Sequence, residues 1–305
     1  MIKNLLLLIL PALFIVSCNN SKDEEAGKEP EKMQVEYKYG KTDSLLWKVT
    51  GNGLKQPSYI FGTVHIIPKD DFFISKELEK AFDESGQLVL EIDMGKLDMS
   101  SLDGIAMPKD ITLKKLISAE DYKMIEKFFK DTLKMDLATF TSSNMKPIFI
   151  SSLIAENFSK GNTESYELTF TAWAKTKKKE IKGLETIEFQ MSVFDSIPYD
   201  KQAEMLVETV KNYQESKKEL TNLYKFYISN ELSKLQDLSD SSDSGLMDYE
   251  DILLTRRNND WIGKIEKIAM EKPSFFAVGA LHLPGKGGIL SLLREKGYTV
   301  EPVSK

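Results

Sequence analysis

Apolar residues come in short blocks separated by turn signals, and the blocks change period along the chain. Residues 45–49 (LLWKV) and 58–61 (SYIF) are brief apolar runs, with Gly51, Asn52, Gly53 and Pro57 between them. That pattern predicts two paired strands joined by a turn. Residues 75–82 (SKELEKAF) place a serine before apolar positions Leu78, Ala81 and Phe82, which predicts a capped helix. Residues 87–92 (QLVLEI) predict a buried strand. Helical periodicity then runs from about 113 to 175, broken at Pro147 and Gly161. A short strand is expected at 180–184, a long helical stretch at 199–238 and a loop at 239–245. A further helix is expected over 249–271, stopped by Pro273 and feeding a strand at 274–278. A turn at 285–288, a helix (ILSLLREKG) and a strand at 298–300 close the chain. Strands thus lie at both ends around a helical middle. The expected fold is α/β (α+β), one central sheet built from the terminal βα units with the helices beside it.

The first residues follow a different rule. Lys3 precedes a short apolar core at 5–16 that contains Pro11, then Ser17 and Cys18. The core is shorter than the roughly 20 apolar residues that span a bilayer, so it reads as a signal peptide. Cys18 is the chain's single cysteine, which excludes an intramolecular disulfide. A cysteine directly after such a core resembles the lipobox of bacterial lipoproteins. The resemblance implies lipidation at Cys18, membrane attachment through that lipid, and a place at the outer membrane or cell surface. Residues 19–44 are polar and read as a disordered tether, leaving 45–305 as the folded domain.

Charge narrows the function. The net charge of −6 argues against a nucleic-acid partner, and the basic run at 175–179 reads as a solvated helix end.

The chain holds only two histidines, and both sit in the same frame. Gly62-Thr63-Val64-His65 ends one predicted strand; Gly279-Ala280-Leu281-His282 ends another. Strand C-termini are where α/β sheets gather ligands. A glycine three residues before each histidine, Gly62 and Gly279, permits close approach of backbone or ligand. Two neutral imidazoles meeting there would begin a divalent metal site. Carboxylates are found by the same test. Glu91 lies inside an apolar strand, Asp93 just beyond it, and Glu185 at the end of another. An acid in such a run is costly to bury unless paired or bound to metal. An ion pair with a lysine or arginine would also explain Glu91, and capping of the next helix would explain Glu185. Arg257 and Asn258 fall in a predicted helix. Spacing alone favours a surface salt bridge there, while chemistry allows a guanidinium that stabilises an oxyanion.

Taken together, GTVH, LVLEID, KGLETIEFQ, RRNNDW and AVGALHLPGKGGILSLLREKGY resemble the TraB/GumN family, which is related to the Tiki metalloproteases. The resemblance implies a metal-dependent hydrolase acting on a peptide or protein. It implies a divalent ion such as manganese or cobalt, and zinc is a further candidate. His65 and His282 would be ligands, with Glu91 and Glu185 as ligand and general base. Arg257 and Asn258 would assist. Where many bacterial members carry Gly-x-Asp, this chain reads Ser165-Tyr166-Glu167, so Glu167 keeps the acid and loses the glycine. Two alternatives stand beside it. One is a lipoprotein that binds metal, haem or a small ligand without turnover. The other is an interaction protein with a vestigial pocket.

Overall fold

The computed structural model describes residues 43–93, 104–158, 162–240 and 247–303. The expected signal segment, Cys18 and the tether through residue 42 lie outside the described residues, as do 241–246 of the expected loop.

Eight strands are described: β1 (Leu46–Gly51), β2 (Ser58–Thr63), β3 (Ile67–Pro68), β4 (Gln87–Ile92), β5 (Thr163–Glu164), β6 (Glu180–Glu185), β7 (Ser274–Gly279) and β8 (Tyr298–Pro302). Six form one sheet in the order β6-β4-β7-β2-β1-β8. Neighbours within β6, β4, β7 and β2 pair in parallel, while β1 runs against both β2 and β8. The β1–β2 turn needs left-handed backbone, which Gly51 (φ 82°), Asn52 (φ 42°) and Gly53 (φ 85°) supply. The sheet is therefore built from both ends of the chain with β6 added from the middle, a mixed α/β architecture.

Twelve α-helices are described: α1 (Lys76–Glu84), α2 (Leu113–Leu116), α3 (Ala119–Phe128), α4 (Leu137–Ser142), α5 (Pro147–Asn157), α6 (Tyr166–Thr176), α7 (Ile187–Asp195), α8 (Tyr199–Lys211), α9 (Tyr213–Ile228), α10 (Leu232–Asp240), α11 (Arg256–Glu271) and α12 (Ile289–Glu295). The Ser75 hydroxyl caps α1 by accepting from Leu78 N–H. The long helical stretch expected at 199–238 is helical and is divided into three helices, α8, α9 and α10. It breaks at Asn212 and again near Asn230, which adopts φ 56°. The helix expected over 249–271 is continuous from residue 250, with a π-helical segment at Asp251–Thr255 that runs directly into α11.

Two apolar cores divide the domain. The larger lies on the sheet and includes interlocked rings of Phe61, Phe82, Phe170 and Phe275. The smaller is helical, drawing Ile125 and Phe129 against Leu206 and Val210. Helix α5 serves both, with Phe149 in one and Ile150 and Ile154 in the other. That explains why it is apolar all round rather than on one stripe. The lysine run ends α6 as expected, and Lys179 Nζ donates to the Phe82 carbonyl at 2.7 Å, covering the C-terminus of α1.

Candidate functional site

β2 and β7 are adjacent and parallel, with Thr63 opposite Gly279. The two Gly-x-x-His frames therefore leave the sheet side by side, at its C-terminal edge. Glycine at position 62 is required by packing. A Cβ there would lie 2.8 Å from Leu283 Cδ1 and 3.0 Å from Ala280 Cα. The close approach is thus between the two chain segments, and it brings the turn carrying His282 against β2. The neighbouring ends of β4 and β6 add Glu91 and Glu185 to the same edge.

Each histidine is locked through Nδ1. His65 Nδ1–H donates to Glu167 Oε1 at 2.8 Å. The same carboxylate accepts from Thr63 Oγ1 at 2.6 Å and Ser165 Oγ at 3.0 Å. The short β3–β5 ribbon, Ile67 opposite Glu164, carries Glu167 to this place. His282 Nδ1–H donates to Asn258 Oδ1 at 2.6 Å. Asn258 Nδ2 donates to the carbonyls of Gly287 (2.8 Å) and His282 (3.3 Å), which fixes its amide orientation. In the neutral rings both imidazoles thus have Nε2 as the acceptor. His65 Nε2 is buried with no partner, whereas His282 Nε2 accepts from Arg257 Nη1 at 3.2 Å.

Arg257 is the hub. It is 2% exposed, so the surface-salt-bridge expectation for this helix does not hold for it. Nη2 donates to Glu91 Oε2 and Glu185 Oε1, both at 2.7 Å, and Nε donates to Glu185 Oε2 at 3.2 Å. Nη1 also donates to the Leu253 carbonyl at 2.9 Å. Glu91 Oε1 accepts from Gly279 N–H at 2.8 Å and lies 3.7 Å from His282 Nε2. Glu185 also accepts from Trp261 Nε1 at 2.9 Å, and the Trp261 ring packs 4.4 Å from the His282 ring. Glu185 does not cap the next helix; the Thr186 hydroxyl does.

Charge follows from these contacts. Burial would raise the Glu91 carboxyl, but the Arg257 charge prevails and holds it at about 2. Burial does raise Glu185, against the pull of Arg257. Burial together with the Arg257 charge pushes His282 down to about 3. Burial would lower His65, but the Glu167 carboxylate raises it. Burial opposes ionisation of Glu167, yet His65 holds that carboxyl below its usual range.

Glu185 and Trp261 lie in the wall of a cleft of about 670 Å³ together with Asp93, Glu188 and Asp260, and the Glu185 side chain itself is buried against Arg257. Gln190 went unread in the sequence. It is fully buried on α7 and donates Nε2–H to Glu91 Oε2 at 3.0 Å. The signal was available, since Gln190 occupies the same stripe as Ile187, Met191 and Phe194.

A family model for TraB/PrgY/gumN proteins matches residues 45–302, nearly all of the described domain. The chain belongs to the TraB/PrgY/gumN family. This TraB/PrgY/gumN chain is 21% identical over 315 aligned residues to a Danio rerio protein named Metalloprotease TIKI2. The alignment covers 85% of this chain and 61% of that relative, so the chain spans less than two thirds of the relative's length. No solved structure matches the chain.

Among the described residues no group of three His, Cys, Asp or Glu is already placed to hold an ion. The donor types nonetheless fit one. His65 Nε2 is a buried lone pair without a partner, and its Nδ1 is held by a carboxylate, as in metal-bound histidines. His282 has the same tautomer, with a carboxylate oxygen beside it.

Proposed function

We propose that this TraB/PrgY/gumN protein is a metal-dependent hydrolase of the peptidase class, held at the cell envelope by a lipid on Cys18. The partnerless, buried His65 Nε2 carries the reading, because an imidazole buried in this state lacks only an electron-poor partner. His65, His282 and Glu91 are the residues that would hold the ion. A bound divalent cation, manganese, cobalt or zinc, would polarise a carbonyl and acidify water.

The protein's own groups divide the remaining work. Glu167 and Asn258 hold each Nδ1 proton, so in the neutral rings each Nε2 keeps a lone pair, that of His282 being taken up by Arg257 Nη1. Glu91, held at about 2, is a poor proton acceptor and suits a fixed anionic ligand. Glu185 is the better general base of the two, since its carboxyl is raised and the residue lies in the cleft wall; to take a proton it would have to give up a bond to Arg257 or Trp261. Arg257 has all five N–H donors engaged, so an oxyanion would have to replace one of its present partners.

Titrating metal-free protein with manganese, cobalt and zinc is expected to show about one ion per chain, by calorimetry. His65→Ala and His282→Ala are each expected to abolish that binding and any metal-dependent peptide cleavage. Binding that survives either substitution would sink the metal-centre reading. One observation favours a second reading: Arg257 neutralises both Glu91 and Glu185. A lipoprotein that binds metal, haem or another small ligand would need no free base. Ion uptake without cleavage of a peptide library would decide for it.

The anchor has its own test. Full-length protein is expected in the membrane fraction and labelled by a fatty-acid analogue. Cys18→Ala should lose the label and leave the membrane; a labelled Cys18→Ala protein would refute the assignment.

A further inference from the structure

Two buried side-chain atoms at this edge of the sheet have no hydrogen-bond partner, His65 Nε2 and Gln190 Oε1. Gln190 is 0% exposed and donates Nε2–H to Glu91 Oε2 at 3.0 Å. That bond settles the amide's orientation, because the reverse would set one acceptor oxygen against another. Oε1 is therefore unpaired as a consequence of how Glu91 is held. His65 follows β2, whose Thr63 lies opposite Gly279 of β7, and Gly279 N–H donates to Glu91 Oε1 at the end of the next strand, β4.

No nearby guanidinium can satisfy either atom. Arg257 spends its five N–H groups on Glu91, Glu185 (twice), Leu253 and His282. Buried acceptors are rarely left unpaired, and two at one sheet edge call for an electron-poor partner. A cation meets that need without a proton. The histidines and carboxylates form no set of three among the described residues, and an amide oxygen is the donor type that would extend them.

We propose that Gln190 is a ligand residue of the metal centre. Its Nε2–H steadies Glu91, and its Oε1 gives a lone pair to the same divalent cation that takes His65 Nε2. The inference rests on the metal-centre reading above.

Cobalt titration of the metal-free protein, followed by calorimetry and by visible absorption of the bound ion, tests it without any activity assay. Gln190→Met removes the oxygen and the N–H at similar volume. Gln190→Glu keeps an oxygen donor and loses the N–H. Circular dichroism and a thermal melt check that each variant folds. Q190M is expected to weaken cobalt binding about 10- to 100-fold and to change the absorption band, while Q190E binds as tightly as the wild type. Wild-type affinity and spectrum in Q190M would overturn the proposal. So would equal weakening in both variants, which would limit Gln190 to holding Glu91. If Q190M does not fold, Q190E decides alone: retained binding supports the ligand role and lost binding overturns it. Wild-type protein that takes up no cobalt would overturn the metal-centre reading together with this one. Unchanged binding in Q190M would overturn this one only.

Discussion

Arg257→Met is expected to cost about 3–5 kcal/mol of folding stability at neutral pH, the range for removing one member of a buried ion cluster. Methionine fills much of the volume, so the loss is electrostatic. Glu91 and Glu185 are 6% and 8% exposed, and both lean on Arg257 Nη2 at 2.7 Å. Without the guanidinium, two neighbouring carboxylates face each other in a site that water hardly reaches. Such a loss is a large share of the roughly 5–15 kcal/mol typical of a domain. Both acids are then expected to hold their protons to higher pH, so the deficit should shrink on acidification. Adding Glu185→Gln to Arg257→Met should recover part of it. Urea midpoints for the single and double variants at neutral and mildly acidic pH would measure this. A deficit below about 1 kcal/mol at neutral pH would mean Arg257 is no electrostatic hub.

The same residue shows how far the sequence could be read. The strands that end in His65, Glu91, Glu185 and Gly279 were legible because each is a short apolar run closed by a turn signal. Their meeting at one edge followed from the α/β pattern, which turns parallel strands to the same side. Arg257 was harder. As a charged residue in a charged helix it resembled a surface position. Yet Arg257 and Asn258 stand four residues before Trp261 and Ile262, and that stripe continues through Ile265 to Ala269. Extending the apolar face back by one turn would have placed both inside. Gln190 was hidden in the same manner. Glu167 was reached through the family resemblance and not through periodicity. Its place beside His65 depends on a ribbon of two residues per strand, too short to leave any periodicity. The splits at Asn212 and Asn230 likewise rest on single residues inside long polar helical patterns. Chain-local patterns thus located the elements and their ends. They could not reveal which buried charges pair, because those partners lie up to 166 residues apart.

Acid sensitivity is the second large effect, and His282 dominates it in the metal-free protein. Burial and the Arg257 charge hold His282 at about 3, against an ordinary 6.5. A second cation against Nη1 at 3.2 Å would be strongly repelled, so the folded site keeps this imidazole neutral. The unfolded chain takes the proton as pH falls through 6.5 and the folded chain does not. His282 therefore contributes stability that is complete above 6.5 and lost as pH falls towards 3. At about 1.4 kcal/mol per pH unit, roughly 3 kcal/mol is gone by pH 4. Glu91 adds a later loss in the same sense. Its folded value of about 2 lies below the ordinary 4.5, so its contribution fades between those values. Glu167, also lowered, acts in the same direction. His65 works against them. Its raised value favours the folded state on the acid side of 6.5, and that support is lost as pH rises through its folded value. Glu185, raised by burial, likewise softens the acid loss below its folded value. The net expectation is a urea midpoint that begins to fall near pH 6, before carboxylates of ordinary pKa titrate. His282→Gln keeps a polar side chain of similar reach but cannot take up the proton. That variant should start lower at pH 7 and lose less between pH 6 and 4. Parallel declines in wild type and His282→Gln over that window would show that His282 does not stay neutral against Arg257, and the electrostatics assigned to the whole cluster would fall with it.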